Sequence, residues 1–408
     1  MENNTKSKKS NKKGIIIASI IIVVLVVLLV GGYFHHIARP QAVFERNIKK
    51  QINQTINYFT PLNEYVTSKG NCKLSYNIKL NEEDKEIQKK LDAINGFTFD
   101  TKYQIDFKNK LFDLDVNSKY KEDEAINLKL YAENETQNLF LKGIYDKYIT
   151  SENYDLADLY HLGNKDIDYE VILDGFKEAL LDAIDDIEFK KAKETIKIDG
   201  EKVKTTKNYF TLKDDDYIEF YVEIIDNLLD DKEFMKSYEA YEGENAKDAL
   251  KVLKSEIKDT EYKGNKFSIA LYTKGAKKEV VKIVVDKSLY DALTMIELTK
   301  LNEDKIQYEY TTNQGVVKGT IKNNIKVDDN KVGGKLELTF DIVDYITGKI
   351  NIEIDNTFGS KFKKVDVSNN ILEDKLSKKD EKKIDKNIAK NKGFAKFKKL
   401  METIEESD

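Results

Sequence analysis

Histidine and acidic side chains are the groups of this chain with the most capacity for chemistry, yet their spacing builds no recognisable catalytic site. Of the three histidines, His35 and His36 are adjacent, and His161 follows Asp155 and Asp158. Only His161 has carboxylates near enough in sequence for an acid–base pair, and no Cys/His cluster has zinc spacing. We therefore expect no catalytic residue, no metal and no cofactor, and we interpret His35 and His36 as interfacial residues.

Three acidic clusters could collect calcium: Asp182 with Asp185 and Asp186, residues 214–216, and Asp328 with Asp329 and Asn330. None of them reproduces a calcium loop with its glycine and distal glutamate. Residues 214–216 stand where a helix is expected to begin, so helix capping and dipole stabilisation explain them more simply. Phosphate-binding glycine loops and nucleophile elbows are absent as sequence signatures.

The strongest pattern is an uncharged apolar run over residues 14–34, which follows a lysine-rich tail over residues 1–13. At about 1.5 Å per residue, this run would span about 31 Å, close to the thickness of a bilayer core. Its two ends and centre are marked by Gly14, Ile15, Leu25, Val30 and Phe34. Because lysines next to a span stay in the cytoplasm, we expect a single-pass helix, a cytoplasmic amino terminus and residues 35–408 outside the cell.

A cleaved signal peptide is the alternative for this run, since it also begins with a basic region and an apolar core. The aliphatic stretch from Ile15 to Val30 is longer than such a core, and no small-x-small cleavage site follows it. A lipoprotein is disfavoured because the single cysteine, Cys72, lies far beyond the run. The pattern therefore favours an uncleaved anchor.

Composition limits the classes of partner for the rest of the chain. The 408 residues carry a formal net charge of −5 although the lysine-rich tail is positive, so the exterior part is acidic. An acidic domain lacks the basic footprint that general nucleic-acid binding needs. With only one cysteine, the chain cannot form an internal disulfide framework, so its stability must come from a packed core.

A juxtamembrane helix is predicted within residues 35–70. Apolar residues recur there at helical spacing: Phe44, Ile48, Ile52, Ile56 and Phe59. Pro61 should end or kink this helix. The helix could pack its stripe into a core, or it could hold the domain away from the membrane as a stalk.

Residues 71–370 alternate between apolar and polar positions in many short segments, which is typical of half-buried strands. The predicted order is strands over 72–145, with a short helix marked by Ile87, Leu91 and Ile94, then helices over 152–189, a hairpin over 194–212, helices over 214–258 and strands over 265–367. Asp199-Gly200 suits a type I′ turn, Gly333-Gly334 predicts a chain reversal, and residues 289–301 fit either a strand or a helix. We expect an α+β domain with a large curved antiparallel sheet, like half a barrel, and helices on its concave face.

The hairpin over Glu194–Leu212, which runs straight into an amphipathic helix, carries a resemblance. This order of elements resembles the half-barrel lipid-binding fold of LolA-like and LppX-like carriers. The full layout, with its lysine-led anchor, also looks like a family of membrane-anchored proteins from low-GC Gram-positive bacteria. The resemblance implies a lipid or other hydrophobic ligand held in the curved sheet. Because this chain lacks a lipid-attachment cysteine, a spanning helix would keep the domain at its membrane.

The basic tail over residues 371–408 predicts a helix with apolar residues at helical spacing. Such a helix could contact anionic lipid or cell-wall polymer, or it could simply be a solvated lysine-rich helix. The candidate contact residues are Lys378, Lys379, Lys382, Lys383, Lys386 and Lys390.

Three functions remain open from the sequence. An enzyme that uses His161 or Asp158 is the one that the sequence favours least, and the other two are non-catalytic. The apolar face of the sheet could bind a lipid or another hydrophobic ligand at the membrane surface. Alternatively, helices fill that face, and the outer surface docks other envelope proteins. An open apolar pocket would favour ligand binding, whereas a face filled by residues 169–189 and 214–258 would favour a structural or assembly role.

Overall fold

The computed structural model describes residues 39–80, 88, 91–92, 95–121, 123–152, 166–243, 245–259, 266–276, 278–289, 292–313, 315–343 and 345–395. The predicted membrane span, the three histidines, Asp155, Asp158, Ile87 and Ile94 lie outside these residues. Among those described, no helix is both long and apolar enough to cross a membrane.

The chain is α+β, with a large, open and mostly antiparallel sheet, which confirms the predicted class. It divides into two compact units. Unit 1 contains the described residues up to Thr60 together with Asp166–Val316, and unit 2 contains those within Pro61–Lys165 together with Val317–Asp408.

Helix α1 (Pro40–Glu64) belongs to unit 1 over most of its length. Its predicted stripe is buried, with Phe44 at 1% and Ile52 at 0% exposure, so α1 is a core-facing helix. The helix continues one turn past Pro61, and the amide of Tyr65 donates to the carbonyl of Pro61 at 3.0 Å. Of the two predictions for Pro61, that it ends or that it kinks the helix, the first is therefore wrong.

Four further helices lie in the described part of unit 1: α2 (Tyr169–Asp185), α3 (Asp215–Asp230), α4 (Lys232–Glu242) and α5 (Ala246–Asp259). The side chain of Asp168 caps α2 by accepting the amides of Glu170 and Val171. Asp231 caps α4 in the same way, by accepting the amides of Glu233 and Phe234. These caps satisfy amides that the first turn of a helix leaves without partners.

The predicted capping role of residues 214–216 is only partly right. Asp214 has φ +47° and makes no side-chain capping hydrogen bond to α3. Asp215 and Asp216 occupy the first turn of α3, where the helix dipole favours negative charge.

The strands of unit 1 follow each other along the chain and pair antiparallel with their neighbours. They are β7 (Lys190–Ile198), β8 (Glu201–Lys213), β9 (Lys266–Lys274), β10 (Glu279–Leu289), β11 (Ala292–Lys300) and β12 (Lys305–Thr312). The turn between β7 and β8 has φ +50° at Asp199 and +83° at Gly200, as the type I′ prediction requires. Residues 292–300 form a strand, which resolves the ambiguity over residues 289–301.

Helices cover one face of the unit 1 sheet. The ring of Phe210 on β8 lies 5.4 Å from Phe44 on α1 and 6.4 Å from Phe220 on α3, measured between ring centroids. Phe267 on β9 lies 5.9 Å from Tyr217 on α3. Eight apolar side chains of this face are 0–6% exposed: Phe210, Leu212, Phe267, Ile269, Leu271, Ile283, Val285 and Leu298. Toward β12, Ile296 and Tyr308 on the same face are part-exposed.

Unit 2 is built mainly from strands. They are β1 (Thr67–Leu80), β2 (Phe97–Asp106), β3 (Leu111–Tyr120), β4 (Asp123–Glu133), β5 (Thr136–Leu141), β6 (Tyr148–Ser151), β14 (Lys326–Asp328), β15 (Lys331–Ile342), β16 (Ile346–Phe358) and β17 (Asn370–Leu372), with β13 (Gly315–Asn323) crossing the unit boundary. Consecutive antiparallel pairs run from β15 through β16, β1, β2, β3, β4 and β5 to β6. Strand β17 then joins β6 in parallel.

Gly333 and Gly334 lie inside strand β15, so the chain reversal predicted there is wrong. Strand β15 pairs with β14 up to Gly333 and with β13 from Leu336 onward. Gly334 has φ +145°, and a Cβ atom on it would lie 2.2 Å from the carbonyl oxygen of Asn324. Because Gly334 has no Cβ atom, strand β15 can lie close to the backbone of Asn324, at the point where its pairing changes from β14 to β13.

Helix α6 (Lys378–Lys390) follows β17 and begins with a capping box between Ser377 and Asp380. The hydroxyl of Tyr145 donates to Asp380 at 3.0 Å, and the amide of Asn387 donates to the carbonyl of Ile144 at 2.8 Å. These contacts hold α6 against the turn after β5.

Candidate ligand-binding face

Strict alternation in unit 2 sends apolar side chains to one face of its sheet, which we call the apolar face. Cross-strand register defines it in rows. Its members are Leu338, Ile350 and Tyr76; Leu336, Ile352, Leu74 and Phe99; Ile354, Cys72, Val116, Leu128 and Leu141; and Leu114, Leu130 and Leu139. These side chains are part-exposed, whereas four others on the same face are buried: Phe97, Ile105, Ala132 and Phe358.

The opposite face of the same strands is polar and partly covered by the chain itself. The side chain of Gln104 exchanges two hydrogen bonds with the backbone of Lys363, at 2.7 and 3.0 Å. Lys364 forms an ion pair with Glu133 at 2.7 Å, which lowers the pKa of that carboxyl. The segment after β16 therefore covers part of the polar face. No such contact is described for the central side chains of the apolar face, which are part-exposed.

One end of the apolar face carries polar groups. The hydroxyl of Ser68 donates to Oδ1 of Asn356 at 2.7 Å, and both side chains are buried. Tyr103 lies beside them, opposite Gly70, and burial raises the pKa of its hydroxyl. A Cβ atom on Gly70 would lie 2.9 Å from the Tyr103 hydroxyl, so glycine makes room for this cluster. Of these groups, Tyr103 is part-exposed, so a ligand on the apolar face would meet its hydroxyl at this end.

Cys72 lies in the middle of the apolar face, opposite Ile354 on one side and Thr101 on the other. It is part-exposed, and burial raises the pKa of its thiol. Since it is the only cysteine of the chain, it offers a single attachment point for a probe on this face.

The other predicted site residues lie elsewhere. Lys378, Lys379, Lys382, Lys383, Lys386 and Lys390 are exposed on α6, and Lys383 also forms an ion pair with Asp146 at 3.0 Å. Asp182, Asp185 and Asp186 lie at the end of α2. Burial, and after it these three carboxylates, raise the pKa of Glu223. No group of three metal-binding side chains occurs within the described part of the chain.

A polar cluster in unit 1 has no counterpart in the sequence prediction. Asn47 and Gln51 are 7% and 2% exposed on the buried side of α1, where an apolar stripe was expected to dominate. Lys50 lies beside them, and burial together with nearby Lys300 lowers its pKa to about 8. In the sequence, this cluster is visible only as two amide residues, Asn47 and Gln51, which lie one helical turn apart beside the apolar stripe of α1.

Replacing Lys50 with methionine should stabilise the folded chain at pH 7 by about 1 kcal/mol, after allowance for solvent screening of a part-exposed group. The folded state lowers the pKa of this lysine from 10.5 to about 8, so the unfolded chain binds more protons between these values. Wild-type stability should therefore rise as the pH increases from about 8 to 10.5, and the variant should lose this contribution.

Urea unfolding of both proteins across that pH range measures the difference. Lys49→Met is the matched control, because Lys49 is the exposed neighbour on the same helix. Burial also lowers the pKa of Lys287, so only the difference between proteins isolates Lys50. An unchanged pH slope in Lys50→Met would contradict the assignment.

The sequence matches no family model, and a search of curated proteins finds no significant match.

Proposed function

We propose that unit 2 binds a lipid or another hydrophobic ligand on its apolar face, and that a helix over residues 14–34 tethers the protein to the outer surface of a membrane. The observation that carries the proposal is a contrast in burial. Eight apolar side chains on the helix-covered face of unit 1 are 0–6% exposed, whereas most of those on the apolar face in unit 2 are part-exposed. Contiguous apolar surface of this kind marks a binding site in a soluble domain.

The chemistry of the face suits an elongated apolar molecule with one polar end. Leucine, isoleucine and phenylalanine side chains occupy neighbouring strands without an intervening charge, so an acyl chain could lie across them. Each buried methylene of such a chain contributes about 0.8 kcal/mol. Tyr103, which lies beside the buried pair of Ser68 and Asn356, offers a part-exposed hydroxyl at the end of the face. We propose that the sheet curves around the ligand like half a barrel.

Labelling Cys72 with a polarity-sensitive fluorophore tests the proposal directly. The thiol should be labelled at mildly alkaline pH, because burial raises its pKa. Palmitate or a short-chain phosphatidylglycerol, added below its micelle concentration to the purified full-length chain, should shift the emission to shorter wavelength. A fluorophore moved to the exposed opposite side of the strand, in Cys72→Ser with Lys73→Cys, should respond little.

Leu74→Asp should weaken lipid binding at least tenfold, because a carboxylate in the middle of the apolar face must be desolvated when an acyl chain covers it. Asn77→Asp is the matched control, since it adds the same charge to the exposed polar side of β1. Equal emission shifts from both label positions, or equal affinity in both variants, would refute binding on this face. If Cys72 instead crosslinks to one protein in cells while lipids leave its emission unchanged, the face docks an envelope protein.

A further inference from the structure

Helix α6 is fixed to unit 2 along one side. Asp380 and Asn387 make its hydrogen bonds to the turn after β5, and because seven residues are nearly two full turns, both lie on the same side of the helix. Beyond the end of α6, a Cβ atom on Gly393 would lie only 2.3 Å from the Cα atom of Ala125, so the two backbones are in close contact. These contacts at both ends determine which side of α6 faces outward.

Six lysines share the outward side of α6. At about 100° per residue they fall within an arc of about 140°, and the only other residue in that arc is Ala389. All six are exposed: Lys378, Lys379, Lys382, Lys383, Lys386 and Lys390. Four of them recur at every fourth position and form a row about 18 Å long, which we call the lysine row: Lys378, Lys382, Lys386 and Lys390.

The arrangement of these charges does not serve the stability of the helix itself. Lysines four residues apart repel each other, whereas an acidic residue four positions before a lysine stabilises a helix. The exposed acids Glu381 and Asp385 are followed at that spacing by Asp385 and Ala389, so neither of them makes such a pair. Within the described part of the chain, the lysine row forms no ion pair, although Lys383 beside it pairs with Asp146 at 3.0 Å. The row is therefore available to an anion outside the chain.

We propose that the lysine row of α6 binds the surface of an anionic membrane. A flat surface can meet a straight, exposed row along its whole length, and lysine is a compact cation that binds phosphate as a point charge. Each lysine near such a surface strengthens binding by about fivefold. Because the whole chain has a formal net charge of −5, a soluble anionic polymer that wraps around it would also meet repelling acidic surface, whereas a membrane meets the row alone.

Acetylation of lysines in the purified full-length chain, read by peptide mass spectrometry, tests this contact residue by residue. The chain is mixed with vesicles of phosphatidylglycerol or of phosphatidylcholine before the reagent is added. Acetylation of the lysine row should be at least about threefold slower with phosphatidylglycerol. Salt at about 0.5 M should remove the difference, since it screens exposed charges. A span over residues 14–34 would hold the chain on both kinds of vesicle, and the lysines of residues 1–13 are read separately.

Lys108 and Lys110 are internal controls for this measurement. They are exposed in the turn between β2 and β3, where the amide of Asn134 at the end of β4 donates to the carbonyl of Lys110 at 3.0 Å. The chain after α6 instead contacts Ala125, near the start of β4. The two lysines therefore lie at the other end of the strand from α6, and their acetylation should be the same with both lipids.

Paired substitutions test whether charge in the row carries the contact. Lys382→Gln with Lys386→Gln should abolish the protection of Lys378 and Lys390, because losing two contributions of about fivefold weakens the contact more than tenfold. Glutamine has nearly the helix propensity of lysine, so α6 should persist. Arginine at the same two positions should keep the protection, since the charge is retained. Lys108→Gln with Lys110→Gln is the matched control and should also keep it.

Equal acetylation of the lysine row with both lipids, or full protection in the paired glutamine variant, would disprove the proposal. If soluble inorganic polyphosphate protects the row while phosphatidylglycerol vesicles do not, the row binds an anionic polymer and the membrane proposal is wrong. This inference does not rest on lipid binding by the apolar face. That binding is read from Cys72 emission with dispersed lipid, so the two proposals can fail separately.

Discussion

Replacing Phe210 with alanine should lower the free energy of unfolding of unit 1 by about 3–5 kcal/mol. Phe210 is 1% exposed, and its ring lies within 6.4 Å of the rings of Phe44, Phe189, Phe220 and Phe267. Truncation removes the apolar contacts of a whole ring and leaves a cavity that aromatic neighbours cannot fill by small movements. It also loosens α1 and α3 from the sheet, because both helices contact this ring.

Hydrogen exchange measured with and without urea checks this expectation, since it reports on the amides of β8 and β9 separately from those of unit 2. Thr211→Ala is the matched control, because Thr211 is the next residue on the strand and points to the opposite face. It should cost less than about 1 kcal/mol. If both variants lose protection equally, Phe210 does not anchor the helices.

Gly334→Ala should destabilise unit 2 by about 3 kcal/mol and should disrupt the pairing of β15 with β14 and β13. The cost has two sources. The φ angle of +145° is one that L-residues rarely adopt, and the new Cβ atom would lie 2.2 Å from a backbone oxygen of Asn324 and 2.7 Å from Cα of Ile325. Because both contacts are with backbone atoms, no side-chain rotation can relieve them.

Gly333→Ala gives a close comparison for that prediction. Its nearest contact would be 3.4 Å, an ordinary van der Waals distance, and its φ angle is not in the positive region. The losses of unfolding free energy caused by the two substitutions, measured by urea unfolding, should therefore differ by about 2 kcal/mol or more. Equal effects of the two substitutions would show that the close crossing near Gly334 is not required for the stability of unit 2.

Much of the local structure of this chain can be predicted from its sequence, because alternation of apolar residues reports directly on half-buried strands. Leu336 and Phe340 lie in β15, Ile283 and Val285 lie in β10, and Asp199-Gly200 forms the predicted turn. The apolar spacing within residues 214–258 predicts only two helices, one marked by Ile218 and Leu228 and one by Ala246 and Ile257, so it misses helix α4 between them. Its apolar residues, led by Phe234, are few and lie among lysines and glutamates, so the helical period is weak there.

The candidate sites depend on which elements pack over each face of the sheet, and local sequence patterns do not show this. Leu271 in unit 1 and Leu74 in unit 2 follow the same alternation, yet one is 0% exposed and the other is part-exposed. The difference is whether helices lie over the face, and no residue within either strand specifies this. Likewise, Asn47 and Lys50 look like solvent-facing residues in the sequence, yet Asn47 is 7% exposed and Lys50 is part-buried. Periodicity identifies which side chains share a face, but not what covers them.

The chain order of unit 2 also determines when it can fold during synthesis. Strand β1 pairs with β16, so Leu80 can pair only after Ile346 has been synthesised. In the same way, β6 can pair with β17 only after Asn370 has been synthesised. At a translation rate of about 5–20 residues per second, β1 would wait for about 13–50 s after it is made. During that time its apolar side chains have only the early strands as partners, and such long-range pairing folds slowly. A holding chaperone that shields residues 67–141 during this interval would therefore raise the yield of folded protein more than one acting on the finished chain.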